Sequence, residues 1–226
     1  MKSQSSGFLD RIASLGGREY RYPLCVPPGY TEKTSWPLIL FLHGSGERGE
    51  DGDLPTQVGL GAAIRRHEGL FPAVAVFPQL PAGENWRTAA MQRLALLALE
   101  CTTKEFRVDP RRLYLTGISL GGTGVWALAA AHPGLFAALA PVCGRCPWAA
   151  DTEIPQDLGN IPAWIFHGAE DPVVPVENSR RMAHALQGGG AARYTEYPGE
   201  GHAIWDRAYG GEEFCTWLFA QRRKPP

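Results

Sequence analysis

Short apolar runs alternate with longer amphipathic stretches along this chain, and that alternation limits the possible folds most. Continuous apolar strands are typical of a parallel sheet that is covered by helices on both faces. The pattern therefore predicts an α/β fold with a mostly parallel central sheet. The runs that predict buried central strands are residues 38–42, 73–77, 113–116, 136–142 and 163–166.

Flanking segments complete the predicted architecture. Residues 20–26 are interpreted as an edge strand because they end at Pro27-Pro28-Gly29, a turn sequence. A last strand is expected at 194–197. Apolar residues at three- and four-residue spacing predict a helix over 91–106, and further helices are expected over 121–131, 176–187 and 212–221. A chain of 226 residues suits one domain, so residues 1–226 are predicted to form a single unit.

The charge balance excludes several classes of partner. The chain carries 22 Lys+Arg and 23 Asp+Glu, a net charge of -1, which does not favour nucleic acid or an anionic membrane. No stretch approaches the roughly 20 apolar residues of a membrane span. Residues 1–17 carry Lys2 but no apolar centre, so they are not interpreted as a secretory signal. The oligomeric state is not predicted.

Cysteine usage favours a reducing compartment. The chain has 5 cysteines, and Cys25, Cys101 and Cys215 lie in apolar or helical segments typical of buried thiols. Cys143-Gly144-Arg145-Cys146 admits a redox or zinc interpretation, but no second cysteine pair or histidine cluster completes a metal set. We favour two loop cysteines, and we expect a cytoplasmic protein.

The segment Gly117-Ile118-Ser119-Leu120-Gly121 joins a predicted strand to a predicted helix. In such a strand–turn–helix the central residue adopts a strained backbone, and the glycines let the chain pass close to its neighbours. The turn exposes the serine hydroxyl at a helix N-terminus, which favours negative charge. Ser119 is thus a candidate nucleophile. A glycine-rich structural turn is the alternative.

A serine nucleophile needs a general base and an acid that orients it. His202 is the candidate base because it lies in a turn-rich loop after the last predicted strand. Asp171 is the candidate acid, and Glu170 is the competitor. We favour Asp171 because the residue before Pro172 is steered to an extended conformation.

An acyl-transfer site also needs backbone N–H groups that bind an oxyanion. The Leu120 amide is one candidate, and the Ser45 amide, in the glycine-rich segment after residues 38–42, is the other. No Gly-Lys-Ser/Thr follows that segment, which excludes a phosphate-binding loop. His43 is interpreted as an anchor of this loop. The other histidines are interpreted as structural: His67, His132, His167 and His184.

With these residues together, the chain resembles the α/β-hydrolase superfamily, and within it the small phospholipase/carboxylesterase-like esterases, including predicted peptidases and relatives of polyhydroxybutyrate depolymerases. The motifs that carry the resemblance are Leu42-His43-Gly44-Ser45-Gly46-Glu47-Arg48-Gly49, Gly117-Ile118-Ser119-Leu120-Gly121-Gly122, His167-Gly168-Ala169-Glu170-Asp171-Pro172-Val173-Val174-Pro175 and Gly201-His202-Ala203-Ile204-Trp205-Asp206. The resemblance implies a Ser119–His202–Asp171 triad, an oxyanion hole from the amides of Ser45 and Leu120, and no metal or organic cofactor.

The connection between the strands at 136–142 and 163–166 is too short for a folded lid, so no cap domain is expected. An uncapped cleft favours small ester substrates with short acyl or aryl groups. Trp86, Trp148 and Trp205 lie in loops expected near the site, where they either line a substrate pocket or cap the core. The favoured function is a serine carboxylesterase. A serine peptidase and a non-catalytic binding module of the same fold are the alternatives.

Overall fold

The computed structural model of the chain describes residues 6–148, 158, 161–186 and 192–223. Within them lies one sheet of 8 strands in the order β1-β2-β4-β3-β5-β6-β7-β8. The pairs β1/β2 and β2/β4 are antiparallel, and all other neighbours are parallel. The strands are β1 Gly7–Leu15, β2 Arg18–Val26, β3 Trp36–Leu42, β4 Val74–Val76, β5 Val108–Ile118, β6 Ala138–Val142, β7 Ala163–Gly168 and β8 Ala192–Tyr197.

Helices cover both faces of this sheet, as the sequence predicts. The α-helices are α1 Leu60–Arg66, α2 Ala89–Glu105, α3 Leu120–Ala131, α4 Glu177–Leu186, α5 Trp205–Tyr209 and α6 Glu212–Ala220. On one face, Leu38 and Leu40 share a core with apolar residues of α2, α3 and α4. On the other face, Ile39 and Phe41 share a second core with residues of α1, α5 and α6. Alternate side chains of β3 therefore enter opposite layers.

The five apolar runs are all strands, which confirms the predicted α/β architecture. The expectation that residues 20–26 form the edge strand is wrong. Residues of β1 pair along the whole of β2, so β1 is the edge and β2 lies inside it. The helices α1 and α5 were not predicted. The last residue of the helix predicted over 176–187 lies outside the described residues, as does most of the 143–162 connection.

The carboxyl ends of the parallel strands meet at one edge of the sheet, and loop-to-loop hydrogen bonds join the turns that follow them. Ser119 N donates to Val142 O at 2.8 Å, which ties the turn after β5 to the end of β6. Glu170 N donates to Glu200 O at 2.9 Å, which ties the loop after β7 to the loop after β8. These bonds gather the polar residues of several loops into one place.

Candidate active site

Ser119 lies in the sharp turn between β5 and α3, with φ 52° and ψ -113°. Positive φ is unusual for a residue with a Cβ and costs free energy. The flanking glycines are required by space: a Cβ on Gly121 would lie 1.8 Å from Leu42 O, and one on Gly117 would lie 2.6 Å from the same oxygen. The turn thus holds Ser119 at the end of the sheet, as the sequence predicts, and the residue is half-buried.

Two hydrogen bonds connect Ser119, His202 and Asp171. His202 Nε2 lies 2.8 Å from Ser119 Oγ, and His202 Nδ1 lies 2.6 Å from Asp171 Oδ2. The Asp171 side chain is fully buried, whereas that of His202 is 17% exposed. Because an ionised Asp171 only accepts, Nδ1 carries the proton and Nε2 is free to accept the serine hydroxyl. Such an arrangement can move a proton from a hydroxyl to an imidazole.

The Asp171 carboxylate has more donors than the histidine alone. Its Oδ1 accepts from Val173 N at 2.8 Å and from Val174 N at 2.9 Å. Burial alone would raise the pKa of Asp171, but the hydrogen bonds from His202 and these two amides outweigh it and lower the pKa. The competing carboxylate, Glu170, is exposed to solvent and is not the partner of His202.

The loop after β3 approaches Ser119 closely. A Cβ on Gly44 would lie 3.5 Å from Ser119 Cβ. Ser45 begins a short 3-10 helix, Ser45–Glu47, and is exposed. Leu120 is the first residue of α3, where N–H groups lack intrahelical partners. Both predicted donor residues therefore belong to segments that border the serine.

His43 and Trp86 fix the start of this loop from the core. His43 is fully buried, and burial lowers its pKa to about 4, so the ring is neutral. Its Nε2 accepts from Leu80 N at 2.9 Å, which leaves Nδ1–H to donate to Gly44 O at 2.6 Å. Trp86 Nε1 donates to His43 O at 3.0 Å. Trp86 is only 1% exposed, so it is a core residue and does not line a cleft, contrary to the pocket prediction.

Gln79 holds the rest of the loop by hydrogen bonds, a role that the sequence did not predict. The side chain is 2% exposed; its Nε2 donates to Glu47 O at 3.0 Å, and its Oε1 accepts from Gly52 N at 2.8 Å. A single glutamine after a strand carries no distinguishing pattern. Glu47 Oε2 is buried and has no hydrogen-bond partner among the described residues, and burial raises the pKa of this carboxyl.

Of the other predicted tryptophans, Trp205 lies beside the candidate base. Its ring packs edge-to-face on the His202 imidazole, with centroids 5.8 Å apart and an interplanar angle of 89°. Trp148 is half-buried against the first core, and its carbonyl accepts from Arg181 Nη1 at 2.9 Å. The described contacts of Trp148 do not bring it to Ser119, and its role in substrate binding stays a prediction.

Behind the acid lies a buried cluster of Cys143, His167 and Asp171, whose potential ligand atoms all lie within 4.8 Å of one another. Cys143 Sγ donates to His202 O at 3.2 Å, and burial raises the pKa of this thiol to about 12. His167 Nε2 lies 3.1 Å from Asp171 Oδ2. A metal would have to displace these hydrogen bonds and deprotonate the thiol. His167, interpreted from the sequence as structural, thus lies in contact with the candidate acid.

Comparison with known proteins decides the family. The model of the Esterase family, described as "Putative esterase", matches residues 13–187. The chain belongs to this esterase family. The esterase is 30% identical over 173 residues to "Putative esterase NocK" from Nocardia uniformis subsp. tsuyamanensis, covering 74% of this chain and 49% of that protein. It is also 30% identical over 198 residues to "Probable feruloyl esterase C" from Aspergillus terreus, covering 80% of this chain and 67% of that protein.

Solved structures place the esterase in the α/β-hydrolase fold. A thermostable esterase superposes with a TM-score of 0.83 at 34% identity, over 96% of this chain and 63% of that one. A feruloyl esterase module from Clostridium thermocellum, solved with sinapinate, superposes with a TM-score of 0.76 at 13% identity, over 98% of this chain and 90% of that one. The chain thus spans about half of NocK and under two thirds of the thermostable esterase. Among its described residues, no helix is long and apolar enough to cross a membrane.

Proposed function

We propose that this esterase cleaves small esters through an acyl-enzyme, with Ser119 as nucleophile, His202 as general base and Asp171 as the orienting acid. The observation that carries the proposal is the pair of hydrogen bonds on His202, 2.8 Å to Ser119 Oγ and 2.6 Å to Asp171 Oδ2. A hydroxyl, an imidazole and a buried carboxylate in this sequence form the arrangement that activates a serine.

The reaction begins when Ser119 Oγ attacks the ester carbonyl carbon and His202 Nε2 takes the hydroxyl proton. Asp171 stabilises the resulting imidazolium through Nδ1–H. The tetrahedral intermediate collapses, the bond to the alcohol oxygen breaks, and His202 returns its proton to that oxygen. Water then attacks the acyl-enzyme with His202 again as base, which releases the acid and restores Ser119.

The amides of Ser45 and Leu120 are proposed as the oxyanion donors. Leu120 N–H belongs to the first turn of α3, where the helix dipole favours negative charge. Ser45 follows Gly44, the residue that approaches Ser119 Cβ. Fixed backbone donors need no reorganisation when charge develops on the carbonyl oxygen.

Small aryl or short acyl esters are the proposed substrates. Trp205 places an aromatic ring against His202, where it can contact a flat substrate group. The relatives named feruloyl esterase C support an aromatic group on the acyl side of the substrate. Because the 143–162 connection is too short for a folded lid, we expect each methylene beyond the site to stay in water and to gain none of the roughly 0.8 kcal/mol of burial. Aryl esters should therefore show kcat/KM highest at acetyl to butyryl length and lower at octanoyl.

Ser119→Ala tests the proposed function. The variant should keep its fold, because only one hydroxyl is removed, and should lose about three or more orders of magnitude in kcat on a p-nitrophenyl ester. It should also fail to react with a fluorophosphonate probe. Ser14→Ala, at an exposed position of β1, is the control and should keep full activity.

Retention of more than about a tenth of the activity by Ser119→Ala would contradict the nucleophile assignment. Efficient cleavage of a peptide amide by the wild type would instead favour a peptidase, and a long-chain optimum would favour a lipase. Absence of both turnover and probe labelling in the wild type would favour a binding module.

We also propose that the protein works in a reducing compartment, the cytoplasm. All 5 cysteines are unpaired, and Cys25, Cys143 and Cys215 are buried. Buried thiols persist in reducing compartments, whereas secreted domains tend to use cysteines in disulfides. Cell fractionation with an antibody against the chain tests this, and recovery from the medium would contradict it.

A further inference from the structure

His167 is a buried histidine that the proposed reaction does not use. It lies in β7 and is fully buried. Its Nε2 lies 2.9 Å from Val174 O and 3.1 Å from Asp171 Oδ2, and its Nδ1 lies 2.6 Å from Ser179 Oγ in α4. Both nitrogens of the ring are therefore engaged, and the ring connects β7 with the acid loop and α4.

The partners of the ring determine where its proton is. A carbonyl oxygen and a carboxylate oxygen can only accept, so Nε2 must carry the hydrogen that lies between them. In the neutral ring Nδ1 then accepts, and the Ser179 hydroxyl donates to it. Ser179 is 2% exposed, so this donor cannot be exchanged for water at little cost. Ser179 thus fixes the tautomer that presents Nε2–H to the acid loop.

The same N–H acts on both oxygens of Asp171. By binding Val174 O it holds the residue whose own N–H donates to Asp171 Oδ1 at 2.9 Å. By lying 3.1 Å from Oδ2 it places positive hydrogen charge beside the oxygen that receives His202 Nδ1–H. An aspartate side chain that would otherwise rotate about its Cα–Cβ and Cβ–Cγ bonds is held from two directions.

We propose that His167, in the tautomer set by Ser179, is a positioning residue that holds the Asp171 carboxylate in line with His202. The inference rests on the proposed function, because it assigns a role only if Asp171 orients the base. It predicts that losing Nε2–H lowers kcat, since the imidazolium forms only during the reaction, and leaves KM nearly unchanged.

Two substitutions of His167 distinguish the roles of its two ring nitrogens. In His167→Gln the longer amide can place an N–H near the position of Nε2, whereas in His167→Asn the shorter amide reaches only the position of Nδ1. With p-nitrophenyl acetate, His167→Asn should lower kcat about tenfold with KM changed less than about twofold, and His167→Gln should recover most of the loss. Equal losses in the two variants would overturn the proposal.

A double-mutant cycle with Asp171→Asn distinguishes positioning from general structural support. If His167 acts through the carboxylate, adding His167→Asn to Asp171→Asn should change the residual kcat by less than about twofold. A separate structural role would instead cost the same factor in both backgrounds, which would overturn the proposal. Residual turnover of an activated ester should remain measurable, since the oxyanion donors and Ser119 stay in place.

Ser179→Ala provides a second route if the ring substitutions impair folding. It leaves the ring intact and removes only the donor to Nδ1, so kcat should fall severalfold in the wild-type background and hardly at all beside Asp171→Asn. Unchanged kcat in Ser179→Ala, or an equal fall in both backgrounds, would overturn the proposal. Full activity of Asp171→Asn alone would contradict the proposed function itself, which separates the two failures.

Discussion

Buried side chains hold the backbone of the loop that borders Ser119. His43, Trp86 and Gln79 are buried polar residues, and most of their hydrogen bonds go to the backbone of the 43–52 loop or of its neighbours. Buried hydrogen bonds of this kind fix backbone geometry because breaking them leaves an unsatisfied polar group. The N–H of Ser45 is held by this framework and not by its own hydroxyl.

Substitutions of Ser45 should therefore separate its amide from its side chain. Ser45→Ala keeps the N–H and should retain much of the activity on an aryl ester. Ser45→Pro removes the N–H and should cost at least about 100-fold in kcat, the loss expected for one oxyanion donor. A severe defect in a well-folded Ser45→Ala protein would assign the role to the hydroxyl.

The buried Glu47 carboxyl predicts a pH-dependent stability difference. Burial raises its pKa above the ordinary 4.5, so the neutral form is favoured in the folded chain. Its contribution to stability is therefore present at low pH and is lost as pH rises through the raised pKa. The glutamine of Glu47→Gln cannot ionise. The free energy of unfolding of the variant minus that of the wild type should therefore increase from about pH 4 to about pH 8. Urea unfolding at both pH values measures this, and a pH-independent difference would contradict it.

Some residues of the candidate site could be predicted because the residues next to them in the sequence determine their backbone conformation. Ser119 is flanked by glycines that its turn cannot do without, and Asp171 precedes a proline that favours an extended backbone. The contacts of His167 could not be predicted, because Ser179 and Val174 reach it only through the packing of α4 and the acid loop. Trp86 was misassigned for a similar reason: its loop position gave no sign that Gly124 opens a space for it in the core.

Among the elements, α3 shows most directly how backbone contact places the site. The helix lies against the end of β3 through its first turn, and against Trp86 through Gly124, where a Cβ would lie 2.4 Å from Trp86 Cβ. Small residues on this face let the backbone of the helix approach the sheet. Close contact between the first turn of α3 and the end of β3 also brings the residues beside it together, so that Ser119 lies next to Gly44.

Gly121→Ala should therefore be strongly destabilising. Its Cβ would lie 1.8 Å from Leu42 O and 2.4 Å from Leu42 C, and neither backbone atom can move without displacing β3. We expect a loss of about 3 kcal/mol or more in the free energy of unfolding, at the upper end of overpacking effects. Urea denaturation measures it.

Gly69→Ala is the matched control, since a Cβ there would meet nothing within 4 Å and Gly69 does not have positive φ. It should leave the free energy of unfolding within about 0.5 kcal/mol of the wild type. Similar losses in the two variants would show that the approach of α3 to β3 tolerates a methyl group.

The strands were predicted correctly where burial on both faces requires an apolar sequence. The central strands are apolar throughout because both of their faces are covered. The β1–β2 hairpin was missed, although Gly16-Gly17, both with positive φ, form the two-residue turn that joins its strands. Its first strand alternates between partly buried and exposed residues, so it has no continuous apolar run. The short helices α1 and α5 span too few residues to show a helical period.

At the scale of the whole molecule, the sheet divides the interior into two apolar layers, each with its own tryptophans. Trp86 and Trp126 belong to the layer of α2, α3 and α4, and Trp164 and Trp217 belong to the layer of α1, α5 and α6. The site draws on both layers, because Ser119 precedes α3 and His202 lies shortly before α5. We therefore propose that the chain is a single domain, in which neither layer is stable without the other.

Substitutions in adjacent residues of β3 test this proposal, since Leu40 belongs to the first layer and Phe41 to the second. Leu40→Ala should cost about 2–5 kcal/mol and Phe41→Ala about 3–5 kcal/mol, because each leaves a cavity in a fully buried position. In both variants far-UV circular dichroism, tryptophan fluorescence and esterase activity should report one coincident transition in urea, shifted to lower concentration. If Phe41→Ala instead lost activity and part of its fluorescence change in a first transition, with the remaining structure lost in a second, the two layers would be separate folding units. A single transition is expected because β3, which carries both Leu40 and Phe41, cannot lose one covered face and keep its place in the sheet.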